Sequence, residues 1–259
     1  MTSRGTSLLL DDQVQRVTER ACLVLIPGTL CDARLFARQA RVLRAGCRVI
    51  VLDYRQLRDI EEWSQRVLRD LPERFALAGF SLGGLWALDL VRRAPERVQR
   101  LALIASNGEG GGRRAGQRSA ALWRLWRHAG PCAVARHVKP GYFHYLRQRR
   151  RHARLIRDMA RATPRRAARA EFEWAASRPS ALDVLAARAQ PTLIVSGARD
   201  RLCPRRMQQR MLQAQPSARW VEIPRCGHFV PLEQPATLTR LLTHWLYPTT
   251  TGTFSGDAV

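Results

Sequence analysis

A chain of 259 residues, 46% apolar and 25% charged, can bury a sizeable core, and this composition excludes a disordered or fibrous protein. Its best apolar stretch, ACLVLIPGTL, is broken by Pro27 and Gly28 short of the ~18 residues that span a bilayer, and the three leucines at 8–10 are too few for a secretory core segment, so a soluble, cytoplasmic protein is expected. The net charge of +23 rests almost wholly on arginine, Lys139 being the single lysine among 44 basic residues. Such an excess favours acidic partners, unless it only reflects a compositional replacement of lysine by arginine.

Short apolar runs alternate with helical periodicities along the chain, which predicts parallel strands covered by helices. CLVLIP (22–27) has the length and continuity of a strand buried on both faces. Asp32 is placed to cap a helix that directs Leu35, Phe36, Val42 and Leu43 inward and stops at Gly46. RVIVLD (48–53) reads as the next strand, and Ile60, Trp63, Val67 and Leu68 mark an amphipathic helix. FALAGF (75–80) is a third buried strand that runs directly into Ser81. The helix after it carries Leu85, Leu88 and Val91 and ends before Pro95; RLALIAS (100–106) is a fourth strand.

The rhythm then breaks. A glycine-rich connector, NGEGGGRRAGQ, leads into arginine-laden helical sequence, and residues 108–180 hold 18 Lys/Arg against 4 Asp/Glu, so 14 of the 23 net charges lie there. An insertion over strand ends is where a lid over an active site is expected. Strand rhythm resumes with PTLIVSG (191–197), a helix near 205–214 and RWVEIP (219–224). The last helix has Pro235 near its first turn and Leu238, Leu241, Leu242, Trp245 and Leu246 on one face. The expected organisation is an α/β core of residues 1–106 and 181–246, a helical cap at 107–180 and a disordered tail at 247–259. Six scattered cysteines without a CxxC pair predict free thiols and no structural metal site.

Gly79-Phe80-Ser81-Leu82-Gly83 fits G-x-S-x-G. The bare pattern is short, and its context carries the weight: a buried strand leads in and a helix leads out, as a nucleophile elbow requires. A serine hydroxyl needs a base. Of six histidines, His128, His137, His144 and His152 lie in the arginine-rich segment and His244 in the final helix, whereas His228 stands in the loop PRCGHFVPLEQP, free to reach another strand end. A carboxylate that fixes its tautomer is expected at Asp200, just past the strand in LIVSGARDRLCP. The chain order Ser81, Asp200, His228 is the one this elbow calls for. Oxyanion donors are expected from the backbone N–H of Leu82 and, in the loop PGTLCDARLF, of Thr29, with Leu30 N–H as the alternative. Leu30 and Phe229 are the expected substrate contacts.

LAGFSLGGLWALDLVRRAPERVQRLALIAS, PTLIVSGARDRLCP and CGHFVPLEQP resemble the elbow, acid and histidine segments of α/β-hydrolase-fold serine hydrolases, a resemblance that covers about residues 20–246. It implies hydrolysis of an ester or thioester through an acyl-enzyme without metal or cofactor. Ser81 would be the nucleophile, His228 the base and acid, Asp200 the orienting acid and 107–180 the variable cap. The same triad also serves C–C bond hydrolysis and acyl transfer. Pro27-Gly28 replaces the His-Gly common in the oxyanion loop, and QLRDIEEW follows LDYR where glycines are usual, which leaves the pocket's shape open. The N-terminus is expected to be too short for the family's full pair of leading strands.

A narrower resemblance is to esterases that remove a methyl ester from pimeloyl groups on acyl carrier protein. There Arg147, Arg149, Arg150, Arg151, Arg154 and Arg157 would meet an acidic carrier. A reading from another class is a basic nucleic-acid- or carrier-protein-binding module with an inactive triad. The few aromatics among the basic residues, Trp123, Trp126, Tyr142, Phe143 and Tyr145, argue against it.

Overall fold

The computed structural model describes residues 21–137 and 139–248. Six parallel strands form one sheet in the order β2-β1-β3-β4-β5-β6. They are β1 (Cys22–Ile26), β2 (Arg48–Val51), β3 (Phe75–Phe80), β4 (Val98–Ile104), β5 (Thr192–Gly197) and β6 (Arg219–Ile223). Each falls within the apolar run that predicts it or extends it by two residues. β1, β3 and β5 are buried along their whole length, whereas the outer β2 and β6 keep partly exposed positions. Parallel strands covered on both faces need such unbroken apolar sequence.

The period of two along a strand divides the core. In β1, Leu23 and Leu25 join a cluster with Phe36, Leu43 and Leu242, while Cys22, Val24 and Ile26 join one with Trp63, Trp86 and Leu88 on the other face. Asp32 caps only a short 3-10 turn, Ala33–Phe36, and the helix α1 (Ala37–Leu43) follows it. Leu35, Phe36 and Leu43 are buried, but Val42 is 51% exposed, contrary to the sequence expectation, because the 3-10 turn shifts the phase of the helix behind it. Next come α2 (Ile60–Asp70), capped by Asp59, and α3 (Leu82–Arg93).

Between β4 and β5 the chain is helical: α4 (Arg113–His137), α5 (Leu146–Ala162), α6 (Arg165–Ser177) and α7 (Leu182–Ala186). α4 breaks at Gly130, whose φ of 74° is left-handed, and Pro131 follows at once. A 3-10 turn, Lys139–Tyr142, links α4 to α5. α4 packs on both α5 and α6. Most arginines of these helices are exposed, while Ile156, Met159, Ala168 and Phe172 are buried in the first of the two clusters. α8 (Arg205–Ala214), the short α9 (Val230–Glu233) and α10 (Pro235–Leu246) complete the described chain.

Tyr247 OH donates to Gly46 O at 2.9 Å. Residues 249–259 of the expected tail and the N-terminal residues 1–20 lie outside the described residues. No helix among the described residues is long and apolar enough to cross a membrane, and all six cysteines are free thiols.

The register aligns Ile26 with Gly79, Phe80 with Ile104, Ile104 with Val195, and Gly197 with Ile223. The carboxyl ends of five strands therefore share one edge, where open α/β sheets place their ligand sites. Ser81, Asp200, His228 and the loop 27–31 all follow strands at that edge.

Candidate active site

Ser81 lies between the last residue of β3 and the first of α3 with φ 54° and ψ −119°, a conformation that side chains other than glycine rarely adopt. The turn is fastened by Ser81 N–H to Ile104 O at 2.9 Å and by Ser106 Oγ–H to Ser81 O at 2.8 Å. Close packing explains the flanking glycines. A Cβ on Gly79 would lie 2.2 Å from Gly83 O, and one on Gly83 would lie 2.2 Å from Ile26 O. The glycines therefore serve to admit backbone, and the serine takes the strained dihedral itself.

His228 Nε2 is 2.9 Å from Ser81 Oγ, and His228 Nδ1 is 2.8 Å from Asp200 Oδ2. The imidazole is 2% exposed and packs between the rings of Phe80, 5.1 Å away, and Tyr142, 5.6 Å away. The backbone N–H of His228 donates to Tyr142 O at 2.8 Å. Asp200 Oδ1 accepts the N–H groups of Leu202 and Cys203 at 2.8 and 3.0 Å, which turns Oδ2 toward the imidazole. Burial would raise this carboxyl; the neighbouring His228 and the two backbone donors outweigh it and hold the pKa below the ordinary range. Asp200 is thus a carboxylate near neutral pH, and Nδ1 carries the proton between them.

Asp200, His228 and Cys203 have potential metal ligands within 4.8 Å of one another. Their chemistry suits a hydrogen-bonded relay better than an ion. Nδ1 and Oδ2 are committed to each other, and burial followed by the Asp200 charge pushes the Cys203 thiol up to about 12, so no thiolate is offered.

In the loop after β1, the two expected donors differ in their commitments. Leu30 N–H donates to the buried Glu171 Oε2 at 2.8 Å, which removes the alternative donor. Cys31 N–H is used by Gly28 O at 3.0 Å, and Tyr54 OH also donates to Gly28 O. Among the described residues, Thr29 N–H and Leu82 N–H have no acceptor. Leu82 is the first residue of α3, where an N–H has no partner within the helix.

A cavity of about 710 Å³ is lined by Ser81, His228, Leu82, Thr29, Leu30 and Phe229, so both expected substrate contacts border it. Arg113, Arg114, Arg118, Arg178, Arg201, Arg206 and Arg210 also line it, against the single acid Glu109, which pairs with Arg210 at 2.7 Å. The site is strongly cationic. Among the described residues, His144, His152 and His244 are half-buried and stand outside the hydrogen-bonded chain.

Three participants carry no sequence motif. Lys139 Nζ donates to Thr29 O at 2.7 Å and to Leu30 O at 3.3 Å. Glu171 accepts Leu30 N–H from below the loop. Glu233 accepts N–H groups from His144 at 2.8 Å, Gly227 at 3.1 Å and Phe229 at 3.1 Å, which holds the histidine loop from both sides. For Glu233 the signal is an acid in the first turn of α9, from which it reaches back to the N–H of Phe229, the residue that caps that helix. For Lys139 the signal is its uniqueness among arginines.

Residues 23–241 match the alpha/beta hydrolase family. The pimeloyl-[acyl-carrier protein] methyl ester esterase of Aromatoleum aromaticum is 50% identical over 48 residues, 18% of this chain and 19% of that protein. The protein of the same name from Legionella pneumophila (strain Corby) is 34% identical over 90 residues, 33% of this chain and 38% of that one. The chain thus matches about two fifths or less of the length of these curated relatives. Among solved structures, the enol-lactonase from Burkholderia xenovorans LB400 superposes with a TM-score of 0.79 at 24% identity, covering 89% of this chain and 93% of that one. This last likeness is one of fold.

Proposed function

This chain belongs to the alpha/beta hydrolase family, and we propose that within it the protein is a serine esterase that works through an acyl-enzyme. The observation that carries this reading is the continuous chain from Ser81 Oγ through His228 to Asp200, with links of 2.9 and 2.8 Å. His228 Nε2 takes the Ser81 proton as Oγ attacks the ester carbonyl carbon, and Asp200 stabilises the imidazolium. The carbonyl oxygen becomes an oxyanion, received by Leu82 N–H and Thr29 N–H. On collapse the C–O bond breaks, and His228 gives its proton to the departing alcohol. Water then attacks the acyl-serine with His228 as base, releasing the acid and restoring Ser81 Oγ–H.

The helices of 107–180 act as the cap over this site in the same reading. Its substrate is a methyl ester at the end of an acyl chain carried by an acidic protein. Three features support that choice: the arginine-lined cavity, the exposed Arg147, Arg149, Arg150, Arg151 and Arg154 on α5, and the names of the partial relatives. Leu146, 69% exposed, and Tyr145 add an apolar contact at the start of that helix. The free thiols fit a reducing, cytoplasmic setting.

Burst kinetics with a p-nitrophenyl ester test the core of the proposal. Ser81→Ala abolishes the burst while the protein stays folded; a retained burst removes Ser81 from its role. A fluorophosphonate probe that never labels the folded protein would favour the nucleic-acid-binding alternative. The carrier is tested by kcat/KM for carrier-bound and free esters across salt: the carrier-bound value is higher and falls as salt rises. Equal values with flat salt dependence end that part of the reading.

A further inference from the structure

The single lysine of this arginine-rich chain is 5% exposed, and its ammonium faces the loop after β1. Nζ has three neighbours: Thr29 O at 2.7 Å, Leu30 O at 3.3 Å and Cys31 Sγ at 3.5 Å. Three donors on one compact atom match three converging acceptors, which a planar guanidinium cannot do from the same place. On the opposite side of the same peptide, Leu30 N–H donates to Glu171 Oε2 at 2.8 Å, and Glu171 is fully buried. A peptide's C=O and N–H point in opposite directions, so these two side chains grip the Thr29–Leu30 plane from both sides. Leu30 has φ 53°, a left-handed conformation that its surroundings must enforce.

We propose that Lys139 and Glu171 are positioning residues that clamp the Thr29–Leu30 peptide and thereby aim Thr29 N–H at the oxyanion. The inference rests on the serine-esterase reading above. Both clamp residues come from the segment between β4 and β5, 110 and 141 residues along the chain from the backbone they hold. Seating of those helices and completion of the oxyanion loop are therefore one event. Glu171 also takes up Leu30 N–H, so of the two expected loop donors only Thr29 N–H is uncommitted. A glycine at 28 leaves room for the Phe80 ring, but the far side of the loop is set by two side chains that it does not contain.

The test compares wild type with Lys139→Met, Lys139→Arg, Glu171→Leu and Glu171→Gln, using kcat and KM on a p-nitrophenyl ester and affinity for an alkyl boronic acid that becomes tetrahedral on Ser81. Lys139→Met and Glu171→Leu lower kcat about tenfold or more with KM within about twofold, and boronate affinity falls in step. Lys139→Arg falls with Lys139→Met, because charge without the convergent donors does not hold the loop. Glu171→Gln, whose amide oxygen still accepts Leu30 N–H, stays within about threefold of wild type. Wild-type kcat in Lys139→Met or Lys139→Arg overturns the clamp, as does Glu171→Gln falling as far as Glu171→Leu. If Glu171→Leu does not fold, the lysine variants and Glu171→Gln decide the matter. Ser81→Ala in the same assay separates the two proposals: residual turnover there sinks the esterase reading, whereas an inactive Ser81→Ala beside fully active lysine variants sinks only the clamp.

Discussion

The sheet edge and the helical segment between β4 and β5 contribute to the site in different ways. From the sheet edge come the three hydrogen-bonded groups of the proposed triad, Ser81, Asp200 and His228, each within a few residues of a strand's end. From the helices come groups that hold backbone in place: Lys139 on the loop after β1, Tyr142 O and His144 N–H on the histidine loop, and Glu171 on Leu30. Strand ends give short loops a fixed origin, so a reacting side chain there has little freedom. Loops themselves lack such support, and the helices packed over them supply it. The two regions also differ in charge, since 14 of the 23 net positive charges sit in residues 108–180.

Substitutions on the two sides should therefore fail differently. Asp200→Asn keeps the packing but disturbs the tautomer of His228, and kcat on a p-nitrophenyl ester falls roughly 10⁴-fold with the fold intact. A loss under tenfold would mean that His228 is oriented by other means. Gly83→Ala, whose methyl would lie 2.2 Å from Ile26 O, forces strand and helix apart. It costs about 3 kcal/mol in urea unfolding and most of the activity, because overpacked backbone cannot relax locally.

Glu233→Leu strands the N–H groups of His144, Gly227 and Phe229, with an expected loss of about 3 kcal/mol. Kinetics should show the histidine loop loosening before global unfolding does. On the helical side, replacing Arg147, Arg149 and Arg150 together with alanine lowers the ratio of carrier-bound to free-ester kcat/KM about tenfold at low salt. An unchanged ratio would reduce that arginine face to a solvated surface.

Glu171 also makes stability depend on pH. Burial, opposed by Leu30 N–H and the Lys139 charge, moves the Glu171 carboxyl from about 4.5 in the unfolded chain up to about 8 in the folded one. The folded protein then holds the extra proton between those values. Its stabilising contribution is complete below pH 4.5 and is lost as pH rises through about 8. Glu171→Gln does not titrate, so its Tm should change less than that of wild type between pH 5 and pH 8.5, by on the order of 10 °C. Parallel Tm curves would show that Glu171 ionises in both states alike.

β1 and β3 are legible as unbroken apolar runs because a strand buried on both faces has no polar position to hide it. The G-x-S-x-G turn was legible because close backbone packing admits only glycine at 79 and 83. Val42 was misplaced, since a 3-10 turn before α1 leaves no mark in the spacing of apolar residues. Leu30 N–H is a fair candidate in the sequence, and only the Glu171 carboxyl, 141 residues away, withdraws it. Local pattern records what a segment does with its own backbone, which determined the strands, the strained serine and the order of the reacting groups. Tertiary structure decided how near those groups come, which N–H remains free, and which acids and which lone lysine hold the loops. Those relations join segments far apart in the chain, and no local periodicity encodes them.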